Sequence, residues 1–296
     1  MVRFPILHSA VSIMTPLLLA ATGGLFTELS GMLNIALEGM MLWGAFSSIV
    51  FTHYSGSLLM GILLSLLSTM LLAAILGSVT LYLRSNLFIT GLATNLLASG
   101  LTIVLSYRMF GNKGVVVFRG LPELPILKIS PLQSIPILGD LFIGHHLFVY
   151  LSWILLLGAL FLLYHTPFGV RLRSVGHNEE VLLSLGHRPT LYRMVAFLLS
   201  GFFCAFGGAT LSLSLGAFVP NMTSGKGWIA LVVIFLGQKR PLGLLLAAFV
   251  FGIADAFSNY AQGALAIPAE FILALPYVFT LLVMIGLSIY NKYREK

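Results

Sequence analysis

Polar and ionisable residues standing inside apolar sequence mark where this chain would do its chemistry. An ionised side chain at the centre of a bilayer costs roughly 2.5–3.5 kcal/mol on insertion scales and is kept for a purpose. In FTELSGMLNIALEGMMLWG, residues 26–44, Asn34 and Glu38 lie four apart and share one helix face. Two roles fit them: lining a polar pathway, or holding helices together, with Asn34 bonding a neighbour. Thr94 and Asn95 stand in a later apolar segment, with Thr90 and Thr94 on one side of it, and the same two roles apply. The irregular stretch 216–227, GAFVPNMTSGKG, adds Phe218, Asn221 and Ser224. Phe218 or the nearby Trp228 would stack on a flat ring, or would pack in the core. Asp255 reads as a carboxylate near one end of its apolar run.

A second group lies in 166–193, TPFGVRLRSVGHNEEVLLSLGHRPTLYR, the polar stretch between two long apolar runs. It sits at a membrane surface. One short helix is expected inside it. Asn178 suits the N-cap, Glu179 and Glu180 fall in the positive first turn, and Gly186 is a stop. Val181, Leu182 and Leu185 are expected on one face. Such a helix either docks a partner or rests on lipid headgroups.

Several chemistries are missing. No G-x-x-x-x-G-K-[ST] loop, H-E-x-x-H, nucleophile elbow or redox cysteine pair is present, so no catalytic residue is expected. His145 and His146 are adjacent, point to different sides and lack further ligands, so no metal is expected, and no cofactor either. Intramembrane carboxylates are few, Glu38 and Asp255. A carrier driven by protons or sodium usually needs more, so energy would arrive through a docked partner.

The elements that must position these residues are membrane helices. Of 296 residues, 58% are hydrophobic and 8% charged, against about 25% charged in soluble domains; mean hydropathy is +1.02. Apolar segments reach the roughly 20 residues that cross a bilayer, and they lack the alternation of a β-barrel. An all-α polytopic membrane protein with about nine crossings is expected, residues 1–296 forming a single transmembrane domain. The run Trp228–Leu236 is only half long enough to span, so with 216–227 it makes one discontinuous crossing that must line a cavity or be buried in protein. Gly23-Gly24 before the first polar-interrupted stretch echoes Gly207-Gly208 before the second. Gly201, Ala205 and Ala209, and Ala248, Gly252 and Ala256, form close-packing faces. Residues 108–144, punctuated by Pro122, Pro125, Pro131 and Pro136, form the longest loop. The net charge of +7 sits in loops, where it sets orientation rather than marking nucleic-acid binding. Positive residues place 166–193, Arg84, Lys239-Arg240 and the C-terminus in the cytoplasm, and the N-terminus, 108–144 and 216–227 outside. No removable signal peptide is expected, the first span serving as insertion signal. Cys204 offers no disulfide.

SGMLNIALEGMMLWGAF, from Ser30 to Phe46, resembles the signature of permease subunits of bacterial ABC importers of the branched-chain amino acid and simple-sugar type. The order recurs in SVGHNEEVLLSLGHRPTLYRMVAFLLSGFFCAFGGATLSL, MTSGKGWIALVVIFLG and RPLGLLLAAFVFGIADAF. The likeness runs from about Thr15 to the end and is strongest to the nucleoside-importing subgroup. It implies a type II importer-like permease in the cytoplasmic (inner) membrane. It also implies ABC ATPase subunits, a second permease chain (copy or homologue), an extracytoplasmic substrate-binding protein and a small-molecule substrate. The family's cytoplasmic coupling helix falls on about Asn178 to Gly186. His177 departs from the acidic or polar residue frequent in relatives, and His187 follows the glycine. A nucleoside-like ligand leads, then riboflavin-like compounds or simple sugars, and branched-chain amino acids last. The rivals are an ion-coupled carrier acting without an ATPase and a membrane scaffold with no pathway.

Overall fold

The computed structural model describes residues 5–127 and 142–264, together with Val278 and Ile285. The expected last span, 268–289, lies outside the described residues apart from those two positions, as does 128–141 of the long loop.

The described chain runs α1 (Pro5–Leu29), α2 (Leu37–Ser55), α3 (Leu58–Leu81) and α4 (Leu87–Phe110), then β1 (Val116–Val117) and α5 (Leu147–His165). It continues through α6 (Pro167–His177), α7 (Glu179–Ser184), α8 (Pro189–Leu215), β2 (Ala217–Phe218), α9 (Lys226–Leu236) and α10 (Pro241–Ala264). Six of these, α1, α3, α4, α5, α8 and α10, are long and apolar enough to cross a membrane. The expected nine crossings are therefore not reached among the described residues. α2 is more polar because it carries Glu38 in its first turn and His53 in its last, and α9 has only 11 residues.

α1 is the axis of the bundle, 89% buried along its apolar window, against 22% for α4 and 28% for α3. Small residues let the backbones around it close up. A Cβ on Gly44 of α2 would stand 2.7 Å from Ala205 Cα of α8, and one on Gly201 would stand 2.7 Å from Ala73 Cβ of α3. Gly252 of α10 meets the Ala10 carbonyl of α1. The two small-residue faces read from sequence therefore seat α8 between α2 and α3, and α10 on α1. Against lipid tails there is no hydrophobic driving force between helices, so this close van der Waals contact is what packs them.

Two crossings are broken. α1 stops at Leu29, residues 30–36 are non-helical, and α2 starts at Leu37. α8 stops at Leu215, with Gly216 left-handed at φ 65°, and α9 starts only at Lys226. β2 lies in that second break and pairs antiparallel with β1, Val116 opposite Phe218 and Val117 opposite Ala217. This pairing ties the loop after α4 to the break. α9 is about 16 Å long at 1.5 Å per residue, roughly half of a 30 Å hydrocarbon core. Just past its C-terminus, Lys239 pairs with Glu28 in the last turn of α1 at 2.7 Å. Its N-terminus therefore lies about halfway through the bundle.

The polar stretch 166–193 holds two helices where sequence suggests one. α6 is capped by Thr166, whose Oγ1 accepts from Gly169 N at 3.3 Å, and Pro167 takes the first helical turn. Proline there pre-sets φ and gives up an N–H that has no intrahelical partner anyway, so it starts this helix rather than ending one.

Candidate functional site

The centre of the molecule is the meeting of two helix N-termini. Glu38 sits in the first turn of α2. Its Oε1 accepts from Gly225 N at 2.8 Å and its Oε2 from Gly227 N at 2.6 Å. One carboxylate thus occupies the N-terminus of α9 while belonging to the N-terminus of α2. Both ends carry unpaired N–H groups and a positive partial charge, and a carboxylate answers both. Gly227 makes this possible, because a Cβ there would meet the Glu38 backbone nitrogen and Cα.

α4 closes the same seam from the other side. Asn95 Oδ1 accepts from Gly39 N at 2.7 Å and its Nδ2 donates to Ile35 O at 3.0 Å. A Cβ on Gly39 would stand 2.7 Å from Asn95 Cα, so glycine is needed here too. One turn further along α4, Ser99 donates to Asn221 Oδ1 at 2.7 Å. Ser224 Oγ donates to Asn221 O at 3.3 Å. Asn221 and Ser224 are exposed and left-handed, at φ 54° and 46°. Asn tolerates that conformation; Ser does so less readily, so the turn stores strain beside the α9 terminus. Lys226 opens α9, within electrostatic reach of Asp255 on α10. Asp255 thus stands level with a helix end halfway through the bundle rather than at the interface expected from its neighbours.

Glu38, Asn95, Asn221 and Ser224 are brought together, with Thr94 beside them, buried and bonded to Thr90 O at 2.8 Å. Two residues of the expected set lie behind this group. Asn34 is fully buried, its Oδ1 accepting from Ala36 N at 3.0 Å and its Nδ2 donating to Ser200 at 2.8 Å on α8. It joins the break to a neighbouring helix, the second of the two roles open to it. Phe218 is fully buried, edge-on to Phe46 with ring centroids 5.1 Å apart, so no ligand stacks on it in this conformation. Trp228 is the ring with an open face, 40% exposed. Ser99, Ser200 and Lys226 carry no signal in sequence beyond their polarity. Their importance comes from partners on other helices.

Gly227→Ala is expected to force α2 and α9 apart, because the atoms it meets are backbone and cannot rotate away. Overpacking of this kind costs about 1–3 kcal/mol, read as a lower unfolding midpoint in detergent. Gly100→Ala is the control, since a Cβ there has nothing within 4 Å. An unchanged midpoint for Gly227→Ala would show that the seam is not tightly packed.

At the end of the bundle, α7 is capped as sequence suggests. Asn178 Oδ1 accepts from Glu180 N at 3.0 Å, and Gly186 turns left-handed at φ 77°. The expected apolar face is split. Leu182 is buried at 2% exposure, whereas Val181 and Leu185 point outward at 51% and 68%. Leu182 anchors the helix to the body, and the outward pair is left on the surface. The helix is also held by an ion pair, Glu179 Oε2 to Arg193 Nη1 at 2.7 Å. His145 stacks on His8 with centroids 4.0 Å apart. Among the described residues no group of three or more metal-ligating side chains occurs.

The family model described as branched-chain amino acid transport system / permease component matches residues 6–288. The nucleoside ABC transporter permease protein NupC of Lactococcus lactis is 32% identical, over 91% of this chain and 88% of its own length. The guanosine ABC transporter permease protein NupQ of Bacillus subtilis is 33% identical, over 92% and 88%. A glucose ABC transporter permease protein of Haloferax volcanii, TsgC13, is 33% identical over 87% and 78%. Among solved structures, a metal-chelate type ABC transporter in an inward-facing conformation shares the fold. It matches with a TM-score of 0.54 at 18% identity, covering 96% of this chain and 86% of its own.

Proposed function

This chain belongs to the branched-chain amino acid transport system permease family, a family of membrane transport components rather than catalysts, and we propose that it forms half of the translocation pathway of an ATP-driven nucleoside importer. The observation that carries the substrate class is the pair of nucleoside and guanosine permeases that match it along some nine-tenths of its length. α7 supports ATP-driven action. It is a short capped helix at one end of the bundle, held inward by Leu182 and offering Val181 and Leu185 outward to an ATPase subunit. On this reading the face carrying 166–193 is cytoplasmic, the N-terminus and the 108–144 loop are outside, and a substrate-binding protein delivers the ligand there. The group around Glu38, with Thr94, Asn95, Asn221, Ser224 and Trp228, faces the pathway. Asn34 and Phe218 hold it from behind. A second permease chain completes the walls against the exposed sides of α3 and α4.

Uptake of radiolabelled guanosine tests the substrate class. A hundredfold excess of unlabelled adenosine or inosine is expected to suppress it, whereas riboflavin and glucose leave it unchanged. Suppression by glucose alone would favour the second reading, a simple-sugar importer, which the haloarchaeal relative supports. Suppression by riboflavin alone would move the ligand to the flavins.

A further inference from the structure

We propose that Arg193 is the positioning residue that carries movement of the docking helix to the broken crossing at Glu38; this rests on the ATP-driven reading above. Arg193 lies in the first turns of α8. Its guanidinium has two partners on different elements. Nη1 pairs with Glu179 Oε2 of α7 at 2.7 Å, and Nε donates to the Ser30 carbonyl at 3.3 Å. Ser30 is fully buried and opens the break between α1 and α2.

The guanidinium is planar and its donors are fixed relative to one another. A group that holds α7 with one nitrogen and the break with another cannot follow the first without pulling on the second. From Ser30 the chain reaches Glu38 within one short, fully ordered stretch. Asn34 pins that stretch to Ser200 and Ala36, and Glu38 then holds the α9 terminus. The break is gripped at a second point by backbone, since Gly176 at the end of α6 lies directly on Leu29 and Gly31. Glu179 would otherwise be counted among the residues that touch an ATPase. The geometry gives it an inward partner instead.

The same numbers argue against a staple for stability. The side chains of Arg193 and Glu179 are 23% and 49% exposed, and ion pairs that open to solvent contribute little to folding. What the pair fixes is the relation between two elements, and that is a coupling free energy, which typically amounts to 5–150-fold.

The test uses the chain with its copurified ATPase in membrane vesicles, comparing wild type, Glu179→Gln, Arg193→Gln and the double variant. The readout is guanosine transported per ATP hydrolysed, with ATPase copurification measured alongside. Each single variant is expected to keep its ATPase and to lose about tenfold in guanosine per ATP. The double variant is expected to lose about tenfold again in total, not a hundredfold, because the two residues act as one unit. Arg193→Lys, a point charge on a flexible stem, is expected to fall between wild type and Arg193→Gln. Unchanged guanosine per ATP, or losses that multiply in the double variant, would overturn the proposal alone. Loss of the ATPase from Glu179→Gln would also overturn it, by making Glu179 a docking contact. Absence of ATP-dependent guanosine uptake in the wild type would overturn the importer reading itself.

Discussion

Glu38→Ala is expected to abolish uptake while leaving the protein in the membrane. The carboxylate answers two N–H groups at the start of α9, Gly225 and Gly227. Removing it leaves both without a partner halfway through the bundle, at about 1–3 kcal/mol each. It also removes the negative charge that two positive helix ends share. Glu38→Gln keeps the shape and one acceptor oxygen, but turns an N–H donor of its own toward the other glycine. It is expected to retain a fraction of the uptake. Glu38→Asp is one methylene short of reaching both groups and should resemble alanine more than glutamine. Uptake of labelled guanosine, corrected for membrane level by blotting, reads all three. Wild-type uptake in Glu38→Ala would show that the seam between α2 and α9 plays no part in transport.

The second large effect is on partner binding. Val181→Asp with Leu185→Asp puts two charges on the outward face of α7, where both side chains are already exposed. Protein level should hold, because nothing buried changes. Copurification of an ATPase should fall below detection, because an interface that seats an apolar pair in a pocket has no partner for two carboxylates. Leu182→Asp is the contrast. It places a charge at a 2% exposed position in the core, and burying an unpaired charge is costly. That variant is expected to be depleted from the membrane before any question of docking arises. If Leu182→Asp is abundant and Val181→Asp with Leu185→Asp still binds its ATPase, the orientation of α7 is wrong.

The features legible in sequence are those written locally. The cap at Asn178 and the stop at Gly186 need only neighbouring residues. Asn86 likewise caps α4 through Phe88 and Ile89, in the tight turn read from Arg84-Ser85-Asn86. The half-length of α9 follows from counting, and the close-packing faces of α8 and α10 follow from small residues at helical spacing. Other features depend on what lies opposite. Glu38 is recognisable as an odd carboxylate, but its partners are 187 and 189 residues away along the chain. Asn34 looks the same in sequence whether it meets substrate or Ser200. Phe218 looks like a stacking ring until β2 turns it onto Phe46. A helix of six residues is too short for a periodic pattern to say which leucine faces in, so Leu182 and Leu185 could not be told apart. α6 went unread because Pro167 looks like a breaker until Thr166 is seen to cap in front of it. The crossing count came from apolar runs alone, and α2 breaks that rule by carrying its carboxylate to the middle of the fold.

Transport by purified components is the most direct test of an ATP-driven permease. The chain, its copurified partners and a guanosine-loaded binding protein would be placed in liposomes with no proton or sodium gradient. Guanosine accumulation should require ATP, stop when the ATPase subunits are left out, and be indifferent to ionophores. Accumulation by the chain without ATPase subunits, driven by an imposed proton or sodium gradient, would contradict it and establish an ion-coupled carrier instead.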